Sequence, residues 1–339
     1  LDEGALPATM RALVVESYGG PLRLIERPVP RPAEGQVLVR ISAAPINPSD
    51  IAFIKGLYGI RKPLPTVPGF EGSGVVVAAG GGLLPRLQVG RRVACSSLPT
   101  EAGTWAEYML ASGAGCVPLR RMVSLEEGAT LLANPLSAWL LLDMARRGGH
   151  RAAVSTAAAS MLGRMLLRLG LRFNYPIIHV VRRQEQVDLL RALGGTHVLN
   201  SSDSDFEEQL RTTCRQLGAT IAFDAVSGKM TAQLVMAMPR GGHVVVYGGL
   251  SFETISLSPG AFVFHNGTVS GFWISQYTRR LGRLRMLKTL YRLQTMLGDD
   301  LRTEIRQRLP PEQVPQALDS IQQGASLGKT LIVMRPNDG

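Results

Sequence analysis

Cysteine is scarce in this 339-residue chain. Cys95, Cys116 and Cys214 lie far apart and match no disulfide, redox or metal-ligand spacing. Structural thiols in a reducing, cytoplasmic compartment are therefore expected. No apolar run reaches the ~18 residues a membrane span requires. The nearest, residues 131–142, contains Asn134-Pro135 and reads as the start of a buried helix. Residues 1–9 lack the basic-then-apolar order of a secretory signal and the arginines of a transit peptide, and read as an extension ahead of Met10. Acidic residues are outnumbered, 26 against 37 Lys and Arg, giving a formal charge of +11. The cations are mostly arginine and are scattered, without the aromatic-and-basic stripe that stacks bases, which argues against nucleic acid. A phosphate-bearing cofactor, an acidic carrier or coenzyme, or a merely soluble basic surface all fit that charge.

What is present is enough chain for two cores, 45% of it hydrophobic. From Met10 to about residue 120, short β segments (12–16, 36–41, 74–78, 92–95) alternate with Pro and Gly corners, predicting a barrel-like β domain. From about residue 131 the rhythm changes. Strand candidates at 152–156, 177–181, 197–199, 221–224 and 244–247 alternate with amphipathic stretches at 162–171, 185–193, 206–217 and 230–238. Such alternation predicts a parallel sheet covered on both faces. Within Val269–Tyr277, an apolar, β-branched run ending in Gly271-Phe272-Trp273 reads as a buried strand whose aromatic end meets a pocket. Basic helical segments (278–297, 301–308), a Pro-bounded helix (311–324) and a last strand (329–334), expected to join the first domain's sheet, complete the chain.

Between the first two strands of the α/β region lies Ala157-Ala158-Ala159-Ser160-Met161-Leu162-Gly163, a degenerate form of a glycine-rich dinucleotide fingerprint. Small residues there let backbone N–H groups approach a pyrophosphate at a helix N-terminus. About twenty residues on, where an acidic residue would bind the ribose of NAD, stand Arg182 and Arg183, which suit a 2′-phosphate. NADPH is the cofactor this predicts. Tyr247 and Gly248, just past a later strand, belong to the same crevice or to an ordinary tight turn.

These residues carry a family resemblance, together with Asn47-Pro48-Ser49-Asp50, Pro68-Gly69-Phe70-Glu71-Gly72, Ala133-Asn134-Pro135-Leu136-Ser137 and Gly328-Lys329-Thr330. The chain resembles the zinc-independent branch of the medium-chain dehydrogenase/reductase superfamily, which includes quinone oxidoreductases and trans-2-enoyl thioester reductases. The resemblance implies an α/β chain with a chaperonin-10-like (GroES-like) β-barrel domain over 10–130 and 276–339. A Rossmann domain with a doubly wound parallel sheet would occupy 131–275, with the ligand cleft between the two. It also implies a homodimer pairing through the strand near residues 269–274. Asn134, Ser137, Phe272, Trp273 and Lys329 would join the cofactor site formed by the phosphate loop and the arginines.

Zinc-dependent relatives use a Cys and a Gly-His-Glu motif; here Asn47 and Gly69-Phe70-Glu71 stand in those regions, and no metal is expected. Without a Lewis acid, hydride transfer to a conjugated C=C bond is easier to arrange than carbonyl reduction, because orientation and hydrogen-bond donors suffice. The resemblance then implies an NADPH-dependent reductase of 2-enoyl thioesters or enones. Tyr58 would be its proton donor, being protonated at neutral pH with an ordinary pKa of ~10, and Asn47 its positioning residue. A quinone reductase and a non-enzymatic NADPH-binding or RNA-binding relative remain the alternatives.

Overall fold

A computed structural model describes residues 6–97, 102–323 and 328–334. Residues 1–5 of the expected extension and Gly324 at the end of the Pro-bounded helix lie outside them. The chain divides into two compact units, 1–133 with 290–298 and 302–339, and 134–289 with 299–301.

The first unit carries β1 (Thr9–Val15), β2 (Leu22–Pro28), β3 (Gln36–Pro45), α1 (Pro48–Ile54), β4 (Glu71–Ala79), α2 (Leu83–Arg86), β5 (Arg92–Ser96), β6 (Tyr108–Ser112), β7 (Val117–Pro118) and α3 (Leu125–Ala129). β1 and β2 form a hairpin, while β3 is the spine of a larger sheet, pairing β4 and β6 antiparallel. Val37, Val39, Ile41 and Ala44 of β3 pack into one core with Leu13, Val93, Trp105 and Met109. That burial is what holds the many short strands together. Helix α1 starts where Asn47, in extended backbone, is followed by Pro48 at the first helical position.

The second unit carries α4 (Asn134–Arg147), β8 (Ala152–Ser155), α5 (Met161–Arg172), β9 (Ile177–Val181), α6 (Gln184–Ala192), β10 (His197–Asn200), α7 (Phe206–Leu217), β11 (Ala219–Asp224), α8 (Lys229–Ala237), β12 (His243–Val246), α9 (Pro259–Val263), β13 (Thr268–Gly271), α10 (Ile274–Arg280) and most of α11 (Arg283–Leu293). Its six strands pair in parallel in the order β10-β9-β8-β11-β12-β13. The chain order reverses between β8 and β11, the switch point at which a doubly wound sheet opens a crevice outside its carboxyl ends. The last elements, β14 (Ile305–Leu309), α12 (Val314–Gln323) and β15 (Lys329–Val333), return to the first unit. There β15 pairs antiparallel with β3 and parallel with β14, the sheet expected to host the last strand.

Three expectations change. The strand expected to end in Gly271-Phe272-Trp273 stops at Gly271; Trp273 instead precedes α10, its carbonyl accepting N–H bonds from Gln276 and Tyr277. β13 is therefore a half-exposed edge strand rather than a buried one, and Ile274 is helical. Residues 305–309 form β14 rather than helix, because parallel pairing with β15 supplies ladder partners that override local preference. Residues 276–289 fall with the second unit, not the first, and an ion pair from Arg285 to Asp143 of α4 (2.9 Å) ties them there.

Candidate active site

In the second unit, β8 delivers the chain into the turn 156–160 at the sheet's carboxyl edge. Ala157 takes a φ of +46°, in the left-handed region, and Ala158 N–H bonds the Val180 carbonyl of β9 (3.1 Å). Ser160 then caps α5, its hydroxyl accepting the Gly163 N–H (3.2 Å). The N–H groups of Ala159, Met161 and Leu162 have no partner among the described residues. Orphan donors at the start of a twelve-residue helix form an anion cradle, reinforced by the helix dipole. Gly163 makes the approach possible, since a Cβ there would collide with the Ala158 backbone. The side chains of Met161 and Leu162 are buried.

Arg164, which went unremarked in the sequence, is also buried, and its Nε donates to the Ala159 carbonyl (2.9 Å). It brings a cation to the cradle's rear wall. At the end of β9 the Arg182 peptide is clamped twice: its N–H meets the Gln186 Oε1 (3.2 Å) and its carbonyl accepts the Ser202 hydroxyl (2.8 Å). The side chains of Arg182 and Arg183 are exposed, and no carboxylate among the described residues pairs with either.

The edge continues through β11 and β12. Asp224 is fully buried and gathers hydrogen bonds from the Thr156 and Thr231 hydroxyls (2.8 and 2.6 Å) and from the Val226 and Ser227 N–H groups. Its own carbonyl accepts the Tyr247 N–H (2.9 Å), so one residue sets the loops after β8, β11 and β12. Gly248 packs against Ala225, where a Cβ would crowd the carbonyl at 2.9 Å. The Tyr247 hydroxyl is buried without a partner among the described residues, and burial pushes its pKa up. Phe272 is buried with its N–H on the Val246 carbonyl (2.8 Å), while Trp273 is 43% exposed. Asn134 and Ser137 open α4, Ser137 being buried.

The first unit brings three other predicted residues into view. Asn47, Glu71 and Lys329 form a buried polar chain: Lys329 Nζ donates to Asn47 Oδ1 (2.6 Å), and Asn47 Nδ2 donates to Glu71 Oε1 (3.0 Å). Glu71 Oε2 accepts the N–H groups of Leu132 and Ala133 (3.0 and 2.8 Å), the last residues before the chain enters the second unit. Asp50 accepts the N–H groups of Asn47 (2.8 Å) and Phe70 (3.0 Å). Burial pushes its carboxyl up to about 7 and raises Glu71, whereas Lys329 is lowered by burial against the pull of both acids. Tyr58 is half-buried, its ring 5.0 Å from Phe70, which in turn stacks edge-on against Phe53. Glu71 and Asp50 lie within the Gly69-Phe70-Glu71 and Asn47-Pro48-Ser49-Asp50 motifs, but their shared burial with Lys329 has no local sign in the sequence.

A small-strand β unit that recovers the C-terminal strand, and a six-stranded doubly wound unit with an anion cradle, define the two-domain dehydrogenase and reductase class. Residues 33–121 match the alcohol dehydrogenase GroES-like domain, and residues 162–288 match the zinc-binding dehydrogenase family. The mitochondrial enoyl-[acyl-carrier-protein] reductase of Caenorhabditis elegans is 31% identical over 287 residues, spanning 80% of each chain. The human protein of the same description is 30% identical over 285 residues, 81% of this chain and 75% of its own. The crystal structure of a putative NADPH:quinone reductase from Mesorhizobium loti superposes with a TM-score of 0.91 at 32% identity, covering 97% of this chain and all of that one. The chain belongs to the medium-chain dehydrogenase/reductase superfamily.

Proposed function

We propose that this protein is an NADPH-dependent reductase of the C=C bond of 2-enoyl thioesters. The observation that carries the cofactor half is the cradle of unpaired N–H groups with unpaired Arg182 and Arg183 at the end of the next strand. When bound, NADPH supplies the hydride that adds at the β-carbon of the conjugated acceptor. The Ala159, Met161 and Leu162 N–H groups hold the pyrophosphate, and the two arginines hold the 2′-phosphate. Tyr247, Gly248 and Phe272 line the path beyond, with the buried Tyr247 hydroxyl ready to donate. Asn134, Ser137 and Trp273 keep their place in this reading as lining residues.

Charge from the reduced bond collects on the thioester carbonyl, and a proton must reach the α-carbon. Tyr58 holds that proton at its hydroxyl, its ring fixed against Phe70. Asn47 and Lys329 act as positioning residues: the Asn47 amide is engaged at both ends, so its work is to set the loop that begins α1. The same engagement supports a reaction without zinc. Asn47 and both Glu71 oxygens are occupied, and the Lys329 ammonium fills the polar centre where a metal's lone-pair donors would have to converge.

The thioester half rests on the enoyl-[acyl-carrier-protein] reductase relatives, matched over most of their length. A quinone acceptor is the second reading, favoured by the 32% identical neighbour named for that activity. NADPH oxidation followed at its absorbance band with crotonyl thioesters and with quinones decides between them. Turnover confined to quinones overturns the first reading, and NADPH binding without turnover of any acceptor points to a non-enzymatic relative.

The reading includes a homodimer. β13 leaves one edge of the sheet unpaired, and exposed Phe262, Val263 and Phe264 lie just ahead of it in the chain. No helix among the described residues is long and apolar enough to cross a membrane. The three cysteines are free and buried, in keeping with a reducing compartment, and cell fractionation would tell cytoplasm from mitochondrion.

A further inference from the structure

The segment from Thr254 to Gly298 contains no Asp or Glu, while Arg279, Arg280, Arg283, Arg285, Lys288 and Arg292 fall within it. In the second unit this becomes one surface around the turn at Gly282. Arg279 and Arg280 end α10, and Arg285 and Lys288 follow in α11, all four exposed. Arg285 shares Asp143 with Arg147, two cations on one carboxylate (2.9 and 2.8 Å). Arg279, Arg280 and Lys288 pair with no carboxylate among the described residues.

Beside these charges two leucines face outward, Leu284 at 68% and Leu287 at 51% exposure. Their spacing of three places them on one side of α11, with Lys288 one turn from Leu284. Arg279 and Arg280 complement the dipole at the end of α10, but Arg285 in the first turn of α11 opposes that helix's dipole, and the exposed leucines gain little from folding.

We propose that this face of α10 and α11 docks an acidic carrier protein that presents the enoyl thioester. Carboxylates on the partner would meet Arg279, Arg280 and Lys288, and an apolar spot between them would cover Leu284 and Leu287. Charge complementarity favours this occupant, because the face offers unpaired cations around an apolar centre, the pattern of a steered interface. The exposed aromatic of α11, Tyr291, already has the Arg120 guanidinium over its ring (4.2 Å to the centroid), which leaves no open stacking platform of the kind a single-stranded nucleic acid would use. The proposal rests on the enoyl-thioester reading above.

The test compares crotonyl-loaded acyl carrier protein with the uncharged crotonyl N-acetylcysteamine thioester. Triple charge reversal (R279E, R280E, K288E) should lower kcat/KM for the carrier-linked substrate by about tenfold or more at low salt, and change the uncharged one by less than about twofold. The L284S/L287S variant should raise KM for the carrier without altering kcat. Equal losses on both substrates, or none on either, overturn the proposal. So does a fall in oligomer mass of L284S/L287S by light scattering, which would assign the leucines to a second copy. If the wild type reduces no enoyl thioester, the function reading fails on its own. Fluorescence anisotropy of labelled carrier protein, with and without the charge reversal, then decides docking independently of turnover.

Discussion

Replacing Arg182 and Arg183 by alanine probes the cofactor assignment with a magnitude the geometry constrains. Both guanidiniums are exposed and pair with no carboxylate among the described residues, so stability should hold within about 0.5 kcal/mol when they go. A charge-assisted bond contributes about 1.5–3 kcal/mol, and exposure places each of these at the lower end. The double variant should then lose about 3 kcal/mol, or roughly a hundredfold in Kd for NADPH. NADH lacks the 2′-phosphate and should bind as before. Each single variant should account for about half of that free-energy loss, because both peptides are held: Arg182 by Gln186 and Ser202, and Arg183 by the Gln186 and Val187 N–H groups on its carbonyl (3.0 and 3.3 Å). Titration of intrinsic fluorescence with each nucleotide at fixed ionic strength gives both constants. An unchanged NADPH-to-NADH ratio refutes the reasoning, as does a parallel loss for both nucleotides.

Gly163→Ala should weaken NADPH and NADH alike and lower stability by about 1–3 kcal/mol, because its Cβ meets the Ala158 backbone; a variant with wild-type melting and binding would show that the helix start has slack. Tyr58→Phe should depress enoyl-thioester turnover by about a hundredfold while leaving NADPH affinity nearly constant, and equal losses would remove its proton-donor role. The buried acids predict a pH dependence of stability. Asp50 ionises near 3.8 when unfolded but near 7 when folded, so the folded state binds the extra proton between those values and stability falls as pH rises through that window. In Asp50→Asn, urea melts across the same range should show a shallower fall, and an identical slope would place the titration elsewhere.

The elements whose burial follows a local period could be read from the sequence almost residue for residue. Ile177–Val181 and Phe206–Leu217 coincide with their expected spans because a wholly buried strand and an amphipathic helix each carry their pattern within themselves. The phosphate turn was legible for a related reason: cradle, capping Ser160 and Gly163 lie within seven consecutive residues. β14 was not, since Ile305-Arg306-Gln307-Arg308-Leu309 becomes a strand only through β15. Nor was Trp273, where a continuous apolar run hid the end of the ladder at Gly271.

The polar chain of the first unit shows the limit most sharply. Asn47 and Lys329 are 282 residues apart, and Asn47 and Glu71 are 24 apart. Each alone reads as a turn residue, a motif letter or a strand-end cation. Their meaning appears only when β15 pairs with β3 and carries Lys329 to the carboxyl end of that strand, beside the start of α1. Two acids and one ammonium are then buried together, and Asp50, holding only backbone donors, is pushed up by that burial and by the neighbouring Glu71 carboxylate. The cofactor cradle depends on a turn and the polar centre on closure of a sheet, so sequence periodicity alone reaches the first and stops short of the second.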